Sequence, residues 1–229
     1  METTKVTDRH IIFTTPENAD YDVNLGLILG KKHNFIIDTG MGASNIYVIL
    51  EYLKHIGAAS KPIIAVNTHA HTDHILGNWV LEDSLIVSHV LCRELIKQNW
   101  DGSLKKDIEE NREYFDDEIR MCLPNMVFEG SVHFPEDGIS LFHSPGHTED
   151  GISVYDSVDK VLYIGDNFGI FDGVAQLWVK DLQVVQPLIE IYEQYDFNIC
   201  IPSHSKPYTG NTIALLKMAL AEAEKDQKN

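Results

Sequence analysis

The chain has 229 residues, 44% hydrophobic and 23% charged, which is the make-up of a globular domain and excludes a disordered or fibrous chain. Its 18 basic residues stand against 35 acidic ones, a formal charge of −17, so nucleic acid and anionic membrane surfaces would be repelled. No apolar run is long enough to cross a bilayer, the N-terminal stretch METTKVTDRHIIF lacks the pattern of a signal peptide, and the three cysteines (Cys92, Cys122 and Cys200) are widely spaced with no CxxC pair. Together these predict a cytoplasmic protein with reduced thiols.

In chain order, residues 9–15 read as a first strand. Residues 22–29 and 33–38 follow as a hairpin turned at Gly30–Lys32. Residues 43–56 carry Ile46, Ile49, Leu50 and Leu53 on one side, the spacing of an amphipathic helix that Gly57 closes. Residues 62–67 form a short apolar strand, so 33–67 is a strand–helix–strand unit. A short helix is expected over 74–80 and a charge-rich helical segment over 91–125. Short strands resume at 126–143, 151–155 and 160–164. A helix over 181–195 contains Pro187, which would kink or break it. Strand 198–201 and a helix over 212–224 complete the pattern. Periodicity leaves α/β and α+β both open.

The strongest chemical signal is NTHAHTDH at 67–74, which begins where an apolar strand ends. His69 and His71 alternate, so extended backbone sends both rings to one side. A turn then brings Asp73 and His74 to the start of a helix. Imidazoles and a carboxylate gathered in this way suit Zn²⁺ or another first-row metal. Three more ligand-type residues each follow an apolar strand: His147 in HSPGHT, Asp166 in YIGDNF and His204 in IPSHSKP. Strands that each end in such a residue are what a site on one rim of a sheet requires.

Asp38-Thr39-Gly40, His69-x-His71-x-Asp73-His74, Gly146-His147-Thr148, Gly165-Asp166 and Ser203-His204, in this order and at these rough spacings, resemble the metallo-β-lactamase-fold hydrolase superfamily. The resemblance covers nearly the whole chain. It implies an αββα sandwich of two mixed β-sheets with flanking helices, formed by a single domain over 1–229 with a helical insertion at about 91–125. It also implies a binuclear site. His69, His71 and His147 would hold one metal, Asp73, His74 and His204 the second, and Asp166 would bridge them. Asp38 would orient a ligating histidine, a partner that metal-bound imidazoles ordinarily need.

The bridging Asp166 points to the glyoxalase II and lactonase-like branch, since many β-lactamases of this fold carry cysteine there or lack the bridge. The lactonase tyrosine three residues past that aspartate is Gly169 here, and glyoxalase II's basic glutathione-binding residues are absent.

The implied activity is hydrolysis of an ester, thioester, lactone or lactam carbonyl by a metal-bridging hydroxide, with Asp73 as a catalytic carboxylate. Two divalent ions are implied, zinc first, with iron or manganese as alternatives. An iron-dependent redox enzyme of dioxygenase or flavodiiron type, and a non-catalytic metal-binding ligand sensor, are the competing readings. Phe168, Phe171, Trp178 and Tyr208 are expected to line a pocket for a small-molecule substrate. The 91–125 segment would serve as a lid or as the surface of a homodimer.

Overall fold

The computed structural model describes residues 1–16 and 22–226. The chain divides into two compact units, Met1–Glu129 and Gly130–Asn229. No helix among the described residues is long and apolar enough to cross a membrane.

The first unit is built on a seven-stranded sheet: β1 (Glu2–Lys5), β2 (His10–Pro16), β3 (Asp22–Leu29), β4 (Asn34–Ile37), β5 (Ile63–Val66), β6 (Leu85–His89) and β7 (Met126–Phe128), in that spatial order. Strands β1 to β4 pair antiparallel, and β4 to β7 pair parallel. Parallel neighbours need a crossover. Helix α1 (Ala43–His55) supplies the first, α2 (Thr72–Ile75) with a 3₁₀ turn at Asn78–Leu81 the second, and α3 (Val90–Asn99) with α4 (Lys105–Glu110) the third.

Ile46, Ile49 and Leu53 of α1 share one core with Ile11, Phe13 and Leu25 of the sheet. The alternating residues Ile12, Ile28, Phe35 and Ile64 are buried too, which explains why these strands read as continuous apolar runs. Helix α1 ends as its sequence predicts. Gly57 lies at φ 72°, its N–H donates to the Lys54 carbonyl, and the Ala58 N–H donates to the Leu53 carbonyl. That pairing is a Schellman cap.

The expected helical segment over 91–125 is shorter than predicted. Gly102 leaves helical geometry between α3 and α4, and after a 3₁₀ turn at Arg112–Tyr114 no helix continues. The physical reason lies in the next residues. Asp116 turns its carboxylate to the Ser44 N–H at the start of α1, 2.7 Å away, and Arg112 donates to the Asp116 carbonyl at 2.6 Å. Pro124 then disfavours helix for the residue before it. Strand β6, unforeseen in sequence, lies between the short helical turns and α3.

The second unit holds a five-stranded sheet in the order β14-β11-β10-β9-β8. These are β8 (Ser131–Phe134), β9 (Ile139–His143), β10 (Ile152–Asp156), β11 (Val161–Tyr163) and β14 (Ile199–Ile201). Strand β14 runs parallel to β11, and the other pairs are antiparallel. A separate hairpin joins β12 (Phe168–Phe171) to β13 (Val174–Leu177). Its turn is Asp172-Gly173, both at positive φ, as a two-residue hairpin turn requires.

Helices α5 (Val185–Tyr192) and α6 (Thr212–Asp226) pack into this unit's core through Val185, Leu188, Ile189, Leu216 and Leu220. Pro187 neither kinks nor breaks α5. It is the third residue of that helix, where the missing N–H has no intrahelical acceptor to lose.

Candidate metal centre

In the first unit, β5 ends at Val66 and the chain turns through Asn67-Thr68-His69 into α2. Asp38 follows β4, the neighbouring strand, at φ 60°, and is 1% exposed. Its carboxylate accepts three hydrogen bonds. The Thr68 N–H donates at 2.7 Å, the Thr68 hydroxyl at 2.8 Å and His74 Nδ1–H at 2.8 Å.

With its proton committed to Asp38, the Thr68 oxygen is left to accept from His69 Nδ1–H at 3.1 Å. Asp38 thus sets the tautomer of His74 directly and of His69 through Thr68, and each ring keeps its Nε2 lone pair for a ligand. The partner predicted for one histidine serves two. His69 Nε2 lies 3.0 Å from His71 Nδ1, and His74 Nε2 lies 2.8 Å from Asp73 Oδ2. His69, Asp73 and His74 are buried and His71 is exposed, so this half of the site is open to solvent at His71.

The loop rests on amides absent from the predicted site. Asn67 and Asn78 exchange side-chain hydrogen bonds at 2.8 and 2.9 Å. Asn67 Nδ2 also donates to the His74 carbonyl at 3.2 Å, and the Thr39 N–H donates to that same carbonyl at 2.8 Å. Asn67 borders the histidine motif, which is its only sequence signal. Thr39 is marked only by the Asp38-Thr39-Gly40 motif, and Asn78 has no signal at all.

In the second unit, Asp166 follows β11 through Gly165, which lies at φ 58°. His147 follows the Ser144-Pro145-Gly146 turn after β9, and His204 follows β14. All three meet at one oxygen. Asp166 Oδ2 is 3.1 Å from His204 Nε2 and 3.8 Å from His147 Nε2. His147 Nδ1–H donates to the Trp178 carbonyl at 2.6 Å, which again leaves Nε2 as the ligating nitrogen. The Trp178 ring centroid lies 5.6 Å from that of His204.

The expected pocket residues separate. Phe171 and Trp178 are half-buried and in ring contact at 6.0 Å. Phe168 is 0% exposed and packs beside Tyr192 in the core. It is a core residue and not a pocket wall, because alternation on β12 turns it to the face opposite to its neighbour. Tyr208 is half-buried and pairs its backbone with Cys200 at 2.8 Å in both directions. Cys200 is buried, and burial pushes its thiol well above the usual range, so it is a core thiol.

The donors are imidazoles and carboxylates with no thiolate among them, a set that fits zinc, iron or manganese. His69, His71, Asp73 and His74 belong to the first unit and His147, Asp166 and His204 to the second.

Residues 19–204 match the family model described as the metallo-beta-lactamase superfamily. The acyl-coenzyme A thioesterase MBLAC2 of Bos taurus is 24% identical over 207 residues, covering 79% of this chain and 72% of the relative. The probable metallo-hydrolase MJ0888 of Methanocaldococcus jannaschii is 24% identical over 180 residues, covering 72% of this chain and 76% of the relative. A metallo-beta-lactamase from Pontibacter korlensis has a similar structure, with a TM-score of 0.74 at 21% identity over 97% of this chain and 98% of the other. The mono-zinc form of FIM-1 from Pseudomonas aeruginosa gives 0.75 at 18% identity over 97% and 95%. These likenesses show the fold, mixed α/β with two large mixed sheets and flanking helices. With the family match spanning most of the chain, the protein belongs to the metallo-beta-lactamase superfamily.

Proposed function

We propose that the protein is a metal-dependent hydrolase of acyl substrates, thioesters first among them, with a two-ion centre. One ion would take His69, His71, His147 and Asp166, and the other Asp73, His74, Asp166 and His204. The observation that carries this reading is the position of Asp166 Oδ2, facing the Nε2 atoms of both His147 and His204 as a shared carboxylate must.

Bound there, divalent ions would lower the pKa of a water molecule toward neutrality and polarise a carbonyl oxygen. The chain's own residues do the rest. Asp38 and the Trp178 carbonyl hold three histidines in the tautomer that presents Nε2. Asp73 would orient the attacking water and accept its proton. Phe171 and Trp178, half-buried beside His204, offer an apolar wall to the acyl group. Thioesters come first because a relative is named an acyl-coenzyme A thioesterase.

The test combines metal analysis with a panel of acyl-CoA thioesters, esters, lactones and lactams. Thioester turnover should vanish after chelation and return with zinc or manganese. Chelator-insensitive turnover, or no acyl turnover from protein carrying two ions, would overturn the reading. Bound iron with dioxygen uptake would assign the redox alternative.

A further inference from the structure

Behind the His147 turn lies a buried polar network that the proposed chemistry does not use. Asn167 directly follows Asp166 and is 3% exposed. Its side-chain oxygen accepts the His147 N–H at 2.9 Å. Its amide nitrogen donates to the Ser144 carbonyl at 3.0 Å and to Tyr192 Oη at 2.8 Å. Both sides of the Ser144–His147 turn are therefore gripped by one planar group. Gly146 sits against that group so closely that a Cβ there would overlap the Asn167 oxygen.

Behind Asn167, Tyr192 Oη is 3.1 Å from Ser153 Oγ, which is 2.7 Å from Ser144 Oγ. Ser144, Ser153 and Tyr192 are each 0% exposed. The backbone of Asn167 reaches the site as well, since its carbonyl accepts the Trp178 N–H at 3.4 Å and the Trp178 carbonyl accepts His147 Nδ1–H.

We propose that Asn167 is a positioning residue that sets the spacing between His147 and Asp166 by clamping the histidine's turn to the residue next to the carboxylate. His147 and Asp166 come from separate loops, after β9 and after β11. A ligand pair holds an ion only if the gap between its donor atoms is fixed to a few tenths of an ångström, and a turn tethered at its base alone would leave His147 free to drift. Asn167 closes that gap with two backbone contacts. Tyr192 Oη meets the same amide nitrogen that holds the Ser144 carbonyl and also bonds the Ser144 side chain, so it backs the clamp without supplying either of Asn167's contacts to the turn's backbone.

This inference rests on the proposed metal centre, and zinc binding separates the two. Zinc affinity and stoichiometry would be measured by chelator competition on the full chain, with circular dichroism and melting temperature as controls for folding. Asn167→Ala should bind the first zinc ion about tenfold or more weakly. Tyr192→Phe should melt at lower temperature yet keep zinc affinity within about twofold of the wild type, since both of Asn167's contacts to the turn's backbone survive. Should Asn167→Ala fail to fold, Asn167→Gln keeps the polar groups on a longer arm and should show the same weakening.

Wild-type affinity in a folded Asn167 variant would overturn the clamp. So would an equal loss in Tyr192→Phe, which would mean that general loosening of the core is responsible. Wild-type protein that binds no metal would overturn the metal centre, and the clamp with it.

Discussion

At the scale of single residues, Asp38 shows how one buried carboxylate organises a site. It satisfies two donors of Thr68 and one of His74 at 2.7–2.8 Å. Replacing it with alanine leaves a buried N–H and an imidazole N–H without an acceptor and frees His74 to change tautomer. Asp38→Ala should lose about 3 kcal/mol of stability in urea unfolding and roughly ten- to a hundredfold in zinc affinity. Asp38→Asn keeps an oxygen for Thr68 but lacks the charge, and should fall between. Wild-type zinc affinity in Asp38→Ala would remove this carboxylate from the site's construction.

Among the elements, loop-bordering residues do more than regular periodicity suggests. Helix α1 ends at Gly57 because only a left-handed residue lets both capping hydrogen bonds form. A Cβ at Gly57 would meet nothing within 4 Å, so a substitution there probes backbone conformation alone. Gly57→Ala should cost about 1 kcal/mol, and Gly57→Asn less, as read from urea midpoints. An unchanged midpoint for alanine would mean that the chain ends α1 by another route at no cost.

For the whole molecule, pH dependence follows from groups buried in the neutral state. Burial pushes Tyr163, Tyr192 and Cys200 upward. Their folded forms keep the proton at pH values where the unfolded chain releases it, near 8.5 for the thiol and 10 for the phenols. The unfolded state then binds fewer protons than the folded state, so unfolding free energy must fall as pH rises. Urea unfolding of the metal-free protein should show little change attributable to these groups up to about pH 8. It should then fall by roughly 2 kcal/mol or more between pH 9 and 11. A stability curve flat to pH 11 would mean that these groups are hydrated in the fold.

From the sequence alone the candidate donor residues and their order could be read, because metal chemistry demands particular atoms and strand ends leave them in fixed local patterns. The alternation of His69 and His71, the glycine before Asp166 and the glycine closing α1 all act over a few residues, and were legible for that reason. The sequence also marked Asp38, though as the partner of one histidine and not two. Tertiary structure decided what depends on distant partners. Strand β6 and the β12–β13 hairpin were hidden, the hairpin despite its Asp172-Gly173 turn. The stretch after α4 gave up helix because Asp116 caps a helix 72 residues earlier in the chain. Phe168 went to the core while Phe171 stayed half-buried, a choice made by strand register. The roles of the Asn67, Asn78 and Asn167 amides could not be read, since an amide's value lies in the two or three groups it joins, and only folding brings those groups within hydrogen-bonding reach.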